Sequence, residues 1–170
     1  MTNQGFSHIN LATTDIEKTR EFYEDVLGFP QVIGGIYEIE EGGRLRHVYF
    51  DTGNGQLLSF IEPGDISGIP DEFETAINPA VNVPDVFYHF AFAVGSPKAL
   101  AAKREELLAK GVEVTQIVDH DWCHSIYLQD PVNGLTLEYA CYTRELTDED
   151  AELAVRFEIP FTAVQSMAQT

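Results

Sequence analysis

The chain has 170 residues, a mass of 19.0 kDa and a formal charge of −18, from 28 acids against 10 bases. That balance excludes a nucleic-acid binder, which needs lysine and arginine to neutralise phosphate, and a protein adsorbed on anionic membrane. With 44% hydrophobic and 22% charged residues, the composition is that of a soluble folded domain, long enough to bury a core without disulfide or metal staples. No stretch approaches the ~20 apolar residues of a membrane span. The longest apolar run, 86–94, is broken by His89. Residues 1–14 lack a basic region followed by an apolar block, so no secretory signal is expected. Cys123 and Cys141 form no CxxC pair and read as packing residues, which fits a cytoplasmic location.

In chain order, the first element is an apolar strand over 6–12. A helix follows, capped by Asp15, with Ile16, Phe22, Tyr23, Val26 and Leu27 on its apolar face and Gly28 as its stop. Strand-like runs occupy 31–38, 45–50 and 56–61. Residues 62–85, rich in Gly, Pro and Asp, read as a linker or lid. A second strand, 87–93, leads to a helix with Ser96 as cap and Pro97 at its first position. Leu100, Leu107 and Leu108 are expected to face the core, and Gly111 ends the helix. Strands are expected at 112–118, 125–129 and 135–139. The tail holds a possible short helix, capped by Thr147, with 151–155 in its body.

The second half repeats the first. Phe6, His8 and Ala12 match Phe87, His89 and Ala93 at a spacing of 81, and Asp15 matches Ser96 at the same spacing. The turns 51–55 and 130–134 match at a spacing of 79, and each ends in Asn-Gly, a strong hairpin signal. Each half therefore reads strand–helix–strand–strand–strand, an α+β fold. The boundaries are module 1 at about 5–62, linker or lid at about 63–85, and module 2 at about 86–142. These form one domain over 1–142, followed by a tail, 143–170.

A site on the pseudo-two-fold axis draws from equivalent positions. These hold His8 and His89 on the first strands. On the last strands, counted from the shared turn, they hold Ser59 and Glu138. Two histidines and one carboxylate make a facial triad for a divalent metal with open positions. The hard carboxylate favours Fe2+ or Mn2+, with Ni2+ or Zn2+ as alternatives. Glu138 lies among Leu135, Leu137, Tyr139 and Ala140, where an unpaired carboxylate is costly. Strand parity puts His8 with Phe6 and Asn10 on one face, and Glu138 with Thr136 on another.

These residues resemble the vicinal oxygen chelate superfamily, the glyoxalase/bleomycin resistance/dioxygenase group. The resemblance lies in His8-Ile9-Asn10-Leu11 leading to Asp15, in residues 22–29, and in residues 127–138. It covers about residues 5–142. It implies paired βαβββ modules whose sheets curl around one metal site, a small-molecule substrate and, often, a homodimer. In motif the closest likeness is to type I extradiol dioxygenases, which use two histidines and one glutamate on iron and take dioxygen. Their further signature implies His120 and Tyr127 as catalytic groups beside the ligand Glu138, although one extra residue separates Pro131 from Gly134 here. Glyoxalase-like lyases and related isomerases generally place Glu or Gln where this chain has Ser59. Fosfomycin-resistance-type thiol transferases share Ser125, Tyr127 and Glu138, but no cationic phosphonate-binding set is visible. A non-catalytic binding protein of the resistance kind is the remaining alternative.

Matching the halves at a spacing of 79 aligns His47 with Ile126. Arg46 and Val48 then align with Ser125 and Tyr127, on the cavity side. On that reading Arg46 holds an anionic substrate group. Ser59 and Ser125 are further expected substrate contacts, and His124 faces away from Tyr127.

Overall fold

The structure is a computed structural model that describes residues 2, 5–40 and 42–153. The elements in order are β1 (His8–Ala12), α1 (Ile16–Arg20) continuing as a π-helical segment (Glu21–Val26), β2 (Gln31–Glu38), β3 (Arg44–Gly53) and β4 (Gln56–Gly64). After α2 (Ile77–Ala80) come β5 (His89–Ala93), α3 (Pro97–Ala109), β6 (Val118–Asp119), β7 (Cys123–Gln129), β8 (Thr136–Tyr142) and α4 (Asp148–Leu153). They build two four-stranded mixed sheets, ordered β1-β4-β3-β2 and β5-β8-β7-β6. In each, the first strand pairs parallel to the last and the remaining pairs are antiparallel. The duplicated βαβββ architecture expected from the repeat is what the chain adopts. No described helix is long and apolar enough to cross a membrane.

The helix starts follow their caps. Asp15 accepts from the Lys18 amide and Ser96 from the Ala99 amide, each satisfying an orphan donor. Beyond Arg20 the first helix widens into π geometry, with the Leu27 amide donating to the Phe22 carbonyl. That turn buries the adjacent Phe22 and Tyr23 together, and Gly28 ends it at φ +83. Each fully buried aromatic or leucine contributes about 1.5–3 kcal/mol. The core that gathers them, Tyr23, Phe50, Phe60, Leu100, Leu107 and Ile126 among others, lies on the helix side of both sheets.

Two expectations are corrected, the strand at 112–117 and the facing of Leu108. Residues 112–117 form no regular strand. Thr115 replaces the ladder there, its Oγ1 accepting from the Tyr127 amide and its own amide donating to the Tyr127 carbonyl, while Arg104 takes the Thr115 carbonyl. Leu108 is exposed, because the single buried stripe of α3 passes through Leu100 and Leu107 and the next residue lies about 100° round the helix. Within the linker or lid, Asn78 of α2 is buried and ties the segment to the start of β5. The tail helix begins after Thr147, whose amide and hydroxyl donate to Asp150. Positions 154–155 of the expected helix lie outside the described residues.

A buried polar network joins the modules. Tyr23 donates to Asp130 at 3.0 Å, and the Asn133 carboxamide donates to Asp130 and to Thr19. The second Asn-Gly turn is thus packed against the first helix. Its Gly134 cannot become alanine, since an added Cβ would stand 2.7 Å from the Ala76 side chain.

Candidate metal centre

The faces of the sheets away from the helices are open. Along β1 and β5 burial alternates, leaving His8, Asn10 and Ala12, and His89, Ala91 and Ala93, exposed. Sheet register places the rest. Tyr127 lies opposite Glu138, and Glu138 beside Ala91, in the second sheet. Tyr49 lies opposite Ser59, and Ser59 beside Asn10, in the first.

This register corrects the alignment of the halves. Last strands match at 79 residues, but β3 and β7 match at 78, so Tyr49 is the counterpart of Tyr127 and His47 of Ser125. The hairpins differ by one residue, with a bulge between Asp51 and Gly53 in the first. Arg46 consequently lies on the helix side with Val48 and Phe50. There it binds Glu62 at 2.9 Å and also pairs with Glu17, so it does not reach the open face as expected. Tyr49 and His47 were hidden by the wrong offset. The signal for them was the match of Val48-Tyr49-Phe50 to Ile126-Tyr127-Leu128.

Within the second sheet the expected groups converge. His89 Nε2 stands 3.0 Å from Glu138 Oε2, and Glu138, 5% exposed, also accepts a short hydrogen bond from the buried Ser125 hydroxyl. Ser125 therefore orients Glu138 rather than facing ligand. His120 Nε2 meets the Tyr127 hydroxyl at 3.0 Å. Burial, then the Glu138 charge, pushes the Tyr127 phenol up to about 12, so it is a proton donor at neutral pH. His124 turns away, 3.5 Å from Asp119. A cleft of about 360 Å3 adjoins these groups, floored by Ala91, Ala93 and Ala140 and flanked by the Trp122–Tyr142 ring pair. Burial raises the thiol of Cys123, which lines this cleft. A larger groove of about 740 Å3 beside Phe22 and Pro131 holds no histidine.

His8 belongs to a separate cluster on the first sheet. Its ring meets Tyr49 edge-on, Tyr49 packs against His47 at 4.3 Å, and Ser7 contacts its Nδ1. Burial and then the His8 charge lower the His47 pKa. Ser59 is fully buried and donates to Asn10. Among the described residues of one chain, no three His, Cys, Asp or Glu side chains are gathered to hold a metal.

The donor set of the second sheet nevertheless fits a divalent cation. His89 Nδ1 faces the Val86 carbonyl at 2.9 Å, so that nitrogen carries the ring proton. Nε2 then aims its lone pair at a carboxylate oxygen, a repulsive apposition unless a cation or second proton lies between. Neighbouring ligands on an octahedral ion with bonds of about 2.1 Å stand about 3.0 Å apart. A histidine ligand ordinarily gives its other N–H to a carbonyl, as here.

No curated protein matches the chain in sequence. In structure it is similar to a lactoylglutathione lyase from Agrobacterium tumefaciens (TM-score 0.56, 19% identity, covering 83% of this chain and 96% of that one). It is also similar to a glyoxylase/bleomycin resistance protein/dioxygenase domain from Frankia sp. EAN1pec (0.61, 18%, 83% and 99%). A third likeness is to TnmS3, an antibiotic binding protein from Streptomyces sp. CB03234 (0.56, 17%, 84% and 99%). At these identities the likeness shows the fold alone. The family model for the Glyoxalase/Bleomycin resistance protein/Dioxygenase superfamily matches residues 5–139, and with the duplicated βαβββ modules this places the chain in that superfamily.

Proposed function

We propose that the chain is a metal-dependent enzyme acting on adjacent oxygens of a catechol-like small molecule, with dioxygen as co-substrate, in the manner of extradiol ring cleavage. The apposition of His89 and Glu138, buttressed by Val86 and Ser125 and flanked by the His120–Tyr127 pair, carries the reading. His8 completes the centre from a second copy of the chain in a homodimer. Support for this comes from its place on a different sheet and from the apolar residues exposed beside both histidines, Phe6 at 69% and Phe87 at 65%.

His8, His89 and Glu138 would hold the metal, with Fe2+ favoured. When bound, it would orient the substrate oxygens and stabilise charge developing on them. Ser125 and Val86 fix the Glu138 and His89 side chains. Tyr127 donates a hydrogen bond to a substrate oxygen, and His120 exchanges a proton through the Tyr127 hydroxyl. Ser59, fully buried and bonded to Asn10, supplies no fourth ligand. That leaves a lyase or isomerase without the Glu or Gln it generally places there, and a thiol transferase without a cationic set for a phosphonate. A non-catalytic binding protein is the second reading, favoured by the alanine-floored cleft beside Trp122 and Tyr142.

Anaerobic addition of catechols to the Fe2+-loaded protein is expected to change its absorption spectrum, and air should then give oxygen uptake and a yellow product. A broad catechol panel giving no product overturns the dioxygenase. Nickel or manganese activity without oxygen uptake assigns the lyase class, and tight binding without turnover the resistance class.

A further inference from the structure

The open face of the first sheet carries a second, different recognition element. We infer that Asn10 is a pre-oriented hydrogen-bond donor for an uncharged oxygen of the ligand, a subsite beside the proposed centre. The inference rests on that reading for the identity of its neighbour, His8, and for the homodimer that brings the cleft of the second sheet to this face.

Asn10 lies two residues past His8 on the same exposed face of β1, about 7 Å along the strand. Its Oδ1 accepts from the Ser59 hydroxyl at 2.7 Å and from His47 Nε2 at 3.0 Å. With Oδ1 placed there, Asn10 takes the one Ser59 hydroxyl proton and the His47 Nε2 proton. The Nδ2 group has no hydrogen-bond partner among the described residues. Two N–H donors therefore project from a side chain whose rotation is already spent. Both anchors are themselves held: Ser59 is fully buried, and His47 packs on Tyr49.

The second sheet carries Ala91, Glu138 and Ser125 at the positions of Asn10, Ser59 and His47. There a serine orients a carboxylate; here a serine and a histidine orient a carboxamide. The modules have kept the same device, one polar side chain held by its cross-strand neighbour, and divided its purpose. A neutral carboxamide matches a carbonyl oxygen better than a carboxylate. Arg46, the cation that would suit an anion, is committed to Glu17 and Glu62 on the other face, and no lysine or arginine lines the cleft.

The test compares 3,4-dihydroxyacetophenone with 4-ethylcatechol, which lacks the carbonyl, by anaerobic calorimetry on the metal-loaded protein. Wild type is expected to prefer the ketone by about fivefold, one net hydrogen bond. Asn10→Ala should erase the preference and leave 4-ethylcatechol binding unchanged. His47→Phe should weaken the preference and His47→Gln, which keeps a donor, should restore it. An equal preference in wild type and Asn10→Ala overturns the inference. Acetophenone, which has no diol, is titrated separately into the 15N-labelled protein. Movement of the Asn10 side-chain NH2 resonances supports the subsite, and their constancy overturns it. Should neither catechol bind, the catechol reading falls while the acetophenone titration still decides the subsite.

Discussion

His89 Nε2 and Glu138 Oε2 stand 3.0 Å apart, with the His89 Nδ1 proton committed to the Val86 carbonyl. Only a cation or an added proton relieves that contact. Replacing His8, His89 or Glu138 by alanine should weaken metal binding by about 100-fold or more, beyond the loss typical of outer partners. Elemental analysis after dialysis measures it, and full retention in all three variants overturns the triad. A mixture separates one chain from two. His8→Ala protein combined with Glu138→Ala protein should recover about a quarter of the sites, because each heterodimer then holds one intact centre. No recovery after subunit exchange excludes the shared centre.

Asn78 acts on the same histidine from the linker. It is 2% exposed, donates to the carbonyls of Asp85 and Tyr88, and accepts from the Tyr88 amide, each at 2.8 Å. The bend it holds presents the Val86 carbonyl to His89. Asn78→Ala strands three backbone groups and should cost about 2–4 kcal/mol in urea unfolding. Metal affinity should fall with it, even under conditions where the variant is fully folded. Unchanged affinity in the folded variant would show that Asn78 serves the fold alone.

How far the site could be read from the chain depended on which repeat distance each strand obeys. His8 and His89 sit on first strands that match at 81, and Glu138 on a last strand that matches at 79, so turn-anchored counting singles out all three proposed ligands. The β3–β7 pair obeys 78, because the extra residue of the second hairpin falls between β7 and β8. That single residue inverts every side chain on the strand, which is why Arg46 was expected where His47 and Tyr49 stand. The separation of His8 from His89 was illegible for another reason. A duplication states which positions are equivalent, and says nothing of which faces meet. Packing on the helix side decides that, through contacts such as Tyr23 to Asp130 that leave no periodic trace.

Tyr23 tests that junction. Its ring is fully buried between Phe50 and Phe60, and its hydroxyl donates to Asp130, which also accepts from Asn133. Burial, then the Asp130 charge, raises the phenol well above its ordinary range, so it remains a donor at any pH the fold survives. Tyr23→Phe keeps the ring and removes one donor to a buried carboxylate. The expected loss is about 1–3 kcal/mol. Tyr23→Phe combined with Asp130→Asn should cost less than the two single losses added, because the pair shares one interaction. Additive losses would mean the hydrogen bond contributes nothing.

Tyr127 gives the pH signature of the second sheet. An ordinary phenol ionises near 10.0, and Tyr127 does so at about 12, with burial the larger cause and Glu138 the next. The folded state thus holds its proton where the unfolded chain has released it. The stability this confers is complete below pH 10 and is lost as pH rises through the folded value. In the metal-free protein, the phenolate absorbance of wild type minus that of Tyr127→Phe should therefore stay flat up to and through pH 10 and rise only on approach to the folded value. A step centred on the ordinary value would mean that the side chain is solvated and out of reach of Glu138. The same substitution should leave metal content intact while slowing turnover, since Tyr127 touches the substrate oxygen and not the metal in the mechanism proposed above.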